Sequence, residues 1–379
     1  MSKFAVRDDF LFCTGVSNFC GSPERTFNLM WLLEMFLFSF VRKGNIPEEN
    51  IALVIFKKEG DKEKMNPYLS RLLELYPNIK WREAPNFSTQ WYCWDLEEKR
   101  KVRYEALNKA YVMGFVHDAG WHKDYGMCML IDADTFAYKG VNFDALPWDK
   151  TSLASVGYIF PDKFLSNLNE PPEKDAWGNE FKGIHLENLM RSVHVPEENI
   201  RKLQLGSHHL FINPRDMSSQ LLSAFGYYSA AIKVLSGISG NIRTWCPEMG
   251  CYTVALATYG IDHEVTEARE ASFGAINDDA PCPEGTMVHY GFTNCFAGND
   301  WWGKSQFNKD TPFDEKHLDY ARERMVEGQF DEERTYFRYV IEASSAYDIV
   351  RDFEDFKLHF EENNPPLRES GYNYTWATP

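Results

Sequence analysis

Short apolar runs alternate with longer amphipathic stretches through the first third of the chain. Residues 10–13 (Phe-Leu-Phe-Cys) are wholly apolar and stop at Thr14-Gly15, which predicts a strand followed by a turn. Ser22-Pro23 then opens a helix, with serine as cap and proline in the first turn. To about residue 43 that helix is apolar nearly all round, so it is expected to lie against a sheet. Residues 51–56 read as a second buried strand, 62–76 as an amphipathic helix and 79–82 as a third strand. Trp91-Tyr92-Cys93-Trp94 reads as an aromatic loop before a long basic helix over about residues 96–119. The series ends in Met127-Cys128-Met129-Leu130-Ile131, an apolar run leading straight into Asp132-Ala133-Asp134. This alternation predicts an α/β fold around a mainly parallel central sheet flanked by helices. Ligands bind beyond the carboxyl ends of strands in such sheets, so Thr14-Gly15 and the two aspartates are expected on one rim.

Further along, residues 152–160 read as a strand and 161–202 as an irregular insertion rich in Pro, Asn and Glu. Residues 207–214 (Ser-His-His-Leu-Phe-Ile-Asn-Pro) read as a strand with a polar start, followed by a helix over 216–235 and a Gly-rich turn at 236–241. Trp245-Cys246-Pro247-Glu248 opens a helix to about residue 259, and residues 286–291 form a short strand carrying His289. Residues 313–362 are charged amphipathic helices, and the last residues are irregular.

Composition narrows the function classes. At 44% hydrophobic and 25% charged, the 379-residue chain is of ordinary globular make-up. A net charge of −16 disfavours a nucleic-acid partner, because phosphates need a basic surface and Lys57-Lys58 and residues 99–103 are diluted by glutamates. The eight cysteines include no Cys-x-x-Cys pair, which argues against structural zinc. Residues 1–9 are polar, and the longest apolar stretch, residues 30–41, contains Glu34 and is too short for a membrane span. A reduced, cytoplasmic protein is expected. Aromatics make up 15% of residues; core filling accounts for most of them, and the excess is compatible with sugar or base recognition.

Strand geometry would put Asp132 and Asp134 on one face, where like charges repel unless a cation lies between them. The Lys/Arg-bearing helix, the strand ending Leu-Ile-Asp-Ala-Asp-Thr, the later Gly-x-x-x-Leu-Phe-Ile-Asn-Pro and the distal Val-His-Tyr-Gly together resemble a GT-A-type, nucleotide-sugar-dependent glycosyltransferase with a DxD motif. The resemblance covers roughly residues 8–305. It implies a GT-A-like fold over residues 1–310, with a nucleotide-binding half (about 8–140), an acceptor-side half (about 141–310) and a helical C-terminal extension (311–379).

On this resemblance Asp132, Asp134 and His289 would hold Mn²⁺ or Mg²⁺, with Asp132 also contacting the ribose. Thr14 and Gly15, with Asn18 nearby, would border the nucleotide base. Arg103 or Lys109, on the helix before the motif strand, would face the nucleotide, the other lying on a solvated helix face. The donor would be a UDP-sugar in preference to a GDP-sugar, and the acceptor a glycan or other hydroxyl compound. Glu248 is implied as the catalytic base of an inverting enzyme, or as an acceptor contact in a retaining one; a first-turn glutamate that only stabilises its helix is the plainer reading. His208 and His209 are implied as sugar or acceptor contacts. Family members often follow the late histidine with Gly-x-x-Lys-Pro-Trp, whereas here Trp302-Gly303-Lys304 comes later, so the diphosphate role of Lys304 departs from the pattern. Three rivals remain: a sugar-phosphate nucleotidyltransferase, a glycosyltransferase acting on modified nucleic-acid bases, and a non-catalytic glycan-binding protein.

Overall fold

Residue parity along the central strands sorts the core into two layers. In β1 (Phe10–Ser17), Phe10, Phe12 and Val16 face one layer while Leu11 and Cys13 face the other. β2 (Ile51–Lys57) divides the same way, Ile51, Leu53 and Ile55 against Ala52, Val54 and Phe56. Strands buried on both faces belong inside a helix-covered sheet, as the unbroken apolar runs require.

The computed structural model describes residues 3–20, 22–58, 63–87, 92–95, 100–103, 105–155, 190–191, 193–204, 209–239, 247–267, 273–275, 281–289, 311–327, 330–347, 349 and 353–363. The other strands are β3 (Lys80–Pro85), β4 (Tyr92–Asp95), β5 (Arg100–Arg103), β6 (Met127–Leu130), β7 (Thr135–Ala137), β8 (Ser152–Ser155), β9 (Leu210–Ile212), β10 (Glu264–Glu267), β11 (Phe273–Ala275) and β12 (Met287–His289). Seven of these form the central sheet in the order β10-β8-β9-β6-β1-β2-β3. Only β9 runs antiparallel to its neighbours, so the sheet is mainly parallel, the α/β class expected from the sequence. A second sheet, β11-β12-β7, sits beside it, and β4 and β5 form a hairpin.

One layer is built on α1 (Pro23–Leu37) and α2 (Pro67–Leu75). The Ser22 side chain accepts from the Arg25 amide at 3.3 Å, and Pro23 occupies the first turn, as expected. A π-helical turn, Phe38–Lys43, ends this segment, and its Ser39 hydroxyl accepts from the Ala137 amide of β7. The opposite layer holds α3 (Lys109–Asp118), the single turn α4 (Glu197–Ile200), α5 (Ser219–Ser239) and α6 (Pro247–Thr258). The C-terminal helices α7 (Glu315–Glu327), α8 (Asp331–Ala346) and α9 (Phe353–Asn363) join the α1 layer: Phe27 meets Phe353 and Phe356 at 5.4 and 5.2 Å, and Phe136 of β7 meets Tyr336 at 4.9 Å. Each fully buried side chain of this size contributes roughly 1.5–3 kcal/mol.

Three expectations are corrected. The basic segment before α3 is a hairpin, Tyr92 pairing with Arg103 and Asp95 with Arg100, so Arg103 lies on β5 and not on the helix. Aromatic and β-branched residues at Tyr92, Trp94 and Val102 favour strand once a partner strand is adjacent. The turn at Thr14-Gly15 is absent, because β1 stays paired with β2 as far as Ser17. The Gly-rich turn expected over residues 236–241 is replaced over 236–239 by helix, since α5 continues through Ser239, and residues 240 and 241 lie outside the described residues.

Asp331 ties α8 to the end of β7. It accepts from the Tyr138 hydroxyl at 2.6 Å and ion-pairs with Lys139, and these bonds, Lys139 first, lower its pKa to about 2. A depressed carboxylate stabilises fully above its unfolded value, about 3.9, and the contribution disappears as pH falls through about 2. The side chain is 42% exposed, so screening holds the effect to about 1 kcal/mol or less. In thermal melts Asp331→Asn is expected to lower the midpoint slightly at pH 7 and to show a shallower fall than the parent between pH 4 and 2. Parallel curves would contradict this.

Candidate functional site

The last ladder bond of β6 is the Ile131 amide to the Cys13 carbonyl at 2.9 Å. Pairing then stops. Asp132-Ala133-Asp134 forms a turn closed by the Thr135 amide on the Asp132 carbonyl at 3.2 Å, and the chain resumes as β7. The motif is therefore a turn and not the strand end expected, in keeping with the turn preference and low strand preference of aspartate. Parity still governs Asp132. It follows Cys128 and Leu130, which face the α3 layer, and the first residue of α3 is Lys109. The Lys109 ammonium lies 2.7 Å from Asp132 Oδ1 and donates to Oδ2 at 2.9 Å.

A lattice of buried amides fixes where α3 starts. Asn108 donates to the Ser17 hydroxyl at 3.1 Å and to Asn86 Oδ1 at 3.0 Å, and accepts from the Phe87 amide at 2.9 Å. Asn18 braces the entry to α2, donating to the Lys64 carbonyl and accepting from the Asn66 amide, both at 2.8 Å. It serves the scaffold at the position expected beside a nucleotide base. The sequence reading did not single out Ser17, Asn86 or Asn108. The one signal for them was a run of turn-favouring asparagines beyond the apolar strands.

His289 arrives from the far end of the chain. β12 pairs antiparallel with β7 in the register His289↔Thr135, Val288↔Phe136 and Met287↔Ala137. The Tyr138 amide on the Thr286 carbonyl and the Gly285 amide on the Tyr138 carbonyl extend the pairing. His289 Nε2 consequently stands 3.2 Å from Asp134 Oδ1 and 3.9 Å from Asp132 Oδ2. The histidine side chain is only 3% exposed and each aspartate 15%. Behind it, buried His209 sets its ring edge-on at 6.3 Å.

Among the described residues, Asp132, Asp134 and His289 form the one group of three metal-ligating side chains whose ligand atoms all lie within 4.8 Å. Two carboxylates and one imidazole are a donor set that fits a divalent ion such as Mn²⁺ or Mg²⁺, with positions left for a ligand's oxygens. Two carboxylates held this close also favour a cation between them, beside the charge that Lys109 offsets at Asp132.

No protein-family model matches the chain, and no curated protein matches it. Among solved structures the chain is similar to the galactosyltransferase LgtC in complex with donor and acceptor sugar analogs, at 9% identity and a TM-score of 0.39, over 79% of this chain and 93% of that one. It is likewise similar to an active-site mutant of LgtC, at 10% identity and a TM-score of 0.39, over the same shares. At these values the chemistry of the site rests on its own side chains.

Of the other expected site residues, some lie in described elements and others outside the described residues. Thr14 sits inside β1, buried, and its hydroxyl has no hydrogen-bond partner among the described residues. Gly15 is a close-packing position: a β-carbon there would meet Val112 Cγ2 at 2.6 Å and Phe56 Cε2 at 2.8 Å. The backbones of Arg103 and Glu248 lie on β5 and on the first turn of α6. His208 and Lys304 are outside the described residues.

The packing at Gly15 gives a direct test. Gly15→Ala is expected to destabilise the fold by about 1–3 kcal/mol through overpacking against α3, read as a lower midpoint in urea unfolding. An unchanged midpoint would show that α3 can move away from β1 without cost.

Proposed function

We propose that this chain is a metal-dependent glycosyltransferase that moves a sugar from a nucleotide-diphosphate donor to a hydroxyl acceptor. The observation that carries the proposal is the meeting of Asp132, Asp134 and His289 at the carboxyl rim of a mainly parallel sheet, with Lys109 against Asp132. The arrangement is compatible with the GT-A-like fold that the DxD resemblance implies. Ligands of parallel sheets bind at this rim.

In this reading Asp132 and Asp134 supply two oxygen ligands and His289 a nitrogen ligand. The bound ion would neutralise charge on the departing nucleoside diphosphate. Lys109 holds Asp132 in place and adds a second positive charge beside the phosphates. His208 contacts the sugar or the acceptor; His209, expected in the same role, is fully buried with its ring edge-on to His289, and a supporting role for it replaces the contact. Thr14 and Gly15 shape the floor near the nucleotide, and Arg103 and Lys304 add positive charge near the diphosphate. Glu248, at the amino end of α6, takes the acceptor's proton or binds its hydroxyls.

Mn²⁺ is the preferred ion because an imidazole joins the two carboxylates, and a UDP-sugar is the preferred donor. A glycan is the proposed acceptor. A cytoplasmic setting agrees with five buried free cysteines, and no helix among the described residues is long and apolar enough to cross a membrane.

Titration calorimetry with Mn²⁺ and UDP tests the site. UDP is expected to bind with Mn²⁺ present, and to lose about tenfold or more in affinity (about 1.4 kcal/mol) with EDTA or in Asp134→Ala. Nucleotide release from a panel of UDP- and GDP-sugars then reads the activity. Equal UDP affinity with and without metal, and in Asp134→Ala, would overturn the reading.

A further inference from the structure

A groove of about 540 Å³ lies between the first turns of α5 and the last turn of α6. Its position follows from the topology. β9 runs antiparallel to β6, so α5, which follows β9, starts at the edge of the sheet away from Asp132. α6 ends just before β10, whose Glu264 pairs with Ser152 at the start of β8, on that same edge. The groove and the aspartate rim therefore lie at opposite edges of the sheet.

Three features describe what the groove accepts. First, its apolar side chains are open: Tyr227 is 54% exposed, Tyr259 46% and Val193 42%, three of the six exposed large hydrophobics among the described residues. Second, none of the nine described residues that line it is charged, on a chain of net charge −16. Third, seven of the nine carry a hydroxyl or an amide. Ser219, Ser223 and Tyr227 recur at four-residue spacing and so form one row along α5, about 12 Å from end to end.

The floor is fixed in advance. The Thr258 hydroxyl donates to the Val254 carbonyl at 2.8 Å, so in its 3.0 Å bond to Tyr228 it is the acceptor. Tyr228 spends its proton there, and its oxygen keeps acceptor capacity. The Tyr227 ring stands against Tyr228 at 5.7 Å and 64°. Exposed flat rings beside uncharged donors and acceptors match a pyranose, which has an apolar C–H face and a rim of hydroxyls. An acidic or basic ligand would find no counter-charge among the described lining residues.

We propose that this groove is a second carbohydrate site, which binds an uncharged glycan chain by stacking on Tyr227 and Tyr259 and by hydrogen bonds to Ser219, Gln220 and Ser223. Occupancy here is independent of chemistry at the aspartate rim.

Native affinity electrophoresis of the full chain tests the proposal, in gels cast with a soluble neutral glucan, galactan or mannan and with a sulfated galactan as the charged counterpart. At least one neutral polymer is expected to retard the protein. Tyr227→Ala/Tyr259→Ala is expected to weaken retardation by about fivefold or more, while Tyr227→Phe, which keeps the ring, preserves most of it. Asp134→Ala should be retarded like the parent, which separates this site from the proposed active centre. Thermal melts of each variant confirm folding, which half-exposed tyrosines should not disturb. The proposal fails if no neutral polymer retards the protein, if only the sulfated polymer does, or if the double variant behaves like the parent. It also fails if Asp134→Ala abolishes retardation, which would assign binding to the rim. A dimer in sedimentation that the double variant dissolves would give the groove to a second copy of the chain and equally overturn it.

Discussion

The candidate site depends on one antiparallel pairing three residues long. β12 against β7 sets His289 opposite Thr135, the residue after Asp134, and a shift of one residue would turn the imidazole to the other face. So short a ladder needs support from outside. Ser39 accepts the Ala137 amide, Phe136 packs on Tyr336, and Tyr138 and Lys139 hold Asp331 at the start of α8. The C-terminal helices thus help to locate the histidine–aspartate pair. The region expected as an extension completes the layer beneath β7.

Electrostatics sets the second constraint. Two carboxylates one residue apart, each only 15% exposed, repel more strongly than they would in water. Lys109 offsets that repulsion at Asp132, and the His289 nitrogen lies close to Asp134. Lys109 reaches the turn because Asn108 is anchored to Ser17 and Asn86 at the carboxyl ends of β1 and β3. Buried amide bonds of this kind contribute roughly 0.5–1.5 kcal/mol each when made and cost more when broken. They act more as positioning than as stability.

Legibility in the sequence followed how local the determining forces were. The runs that became β1, β2 and β6, and the Ser22-Pro23 helix start, were readable because burial on both faces and capping act over a few residues. The hairpin reads from sequence as an aromatic loop at β4 and a helix at β5, because its strands are decided by each other and not by periodicity. Gly15 looked like a turn glycine, yet its small size serves Val112 and Phe56, which belong to elements far along the chain. Of the site itself, the DxD spacing was plain, and Lys109 and His289 were named from a resemblance. Their distances to the aspartates follow from β-register and helix placement, which no single stretch of sequence encodes. The reversed direction of β9 was hidden for the same reason.

The α3 layer links the aspartate rim and the groove through close packing. α5 crosses α3 closely: a β-carbon on Gly226 would meet the Tyr111 ring at 2.5 Å, and Phe225 stacks on Tyr252 of α6 at 3.3 Å. Lys109 begins α3 at the aspartate rim, while Tyr227, next to Gly226, opens on the groove at the opposite edge. Interiors packed this closely shift between discrete arrangements and do not deform smoothly. A chain held in the groove would therefore keep a fixed distance from the rim. Only a polymer long enough to pass around the helical layer could occupy both. On the two proposals taken together, polymer length, more than any local conformational change, would decide whether one chain spans both the groove and the aspartate rim.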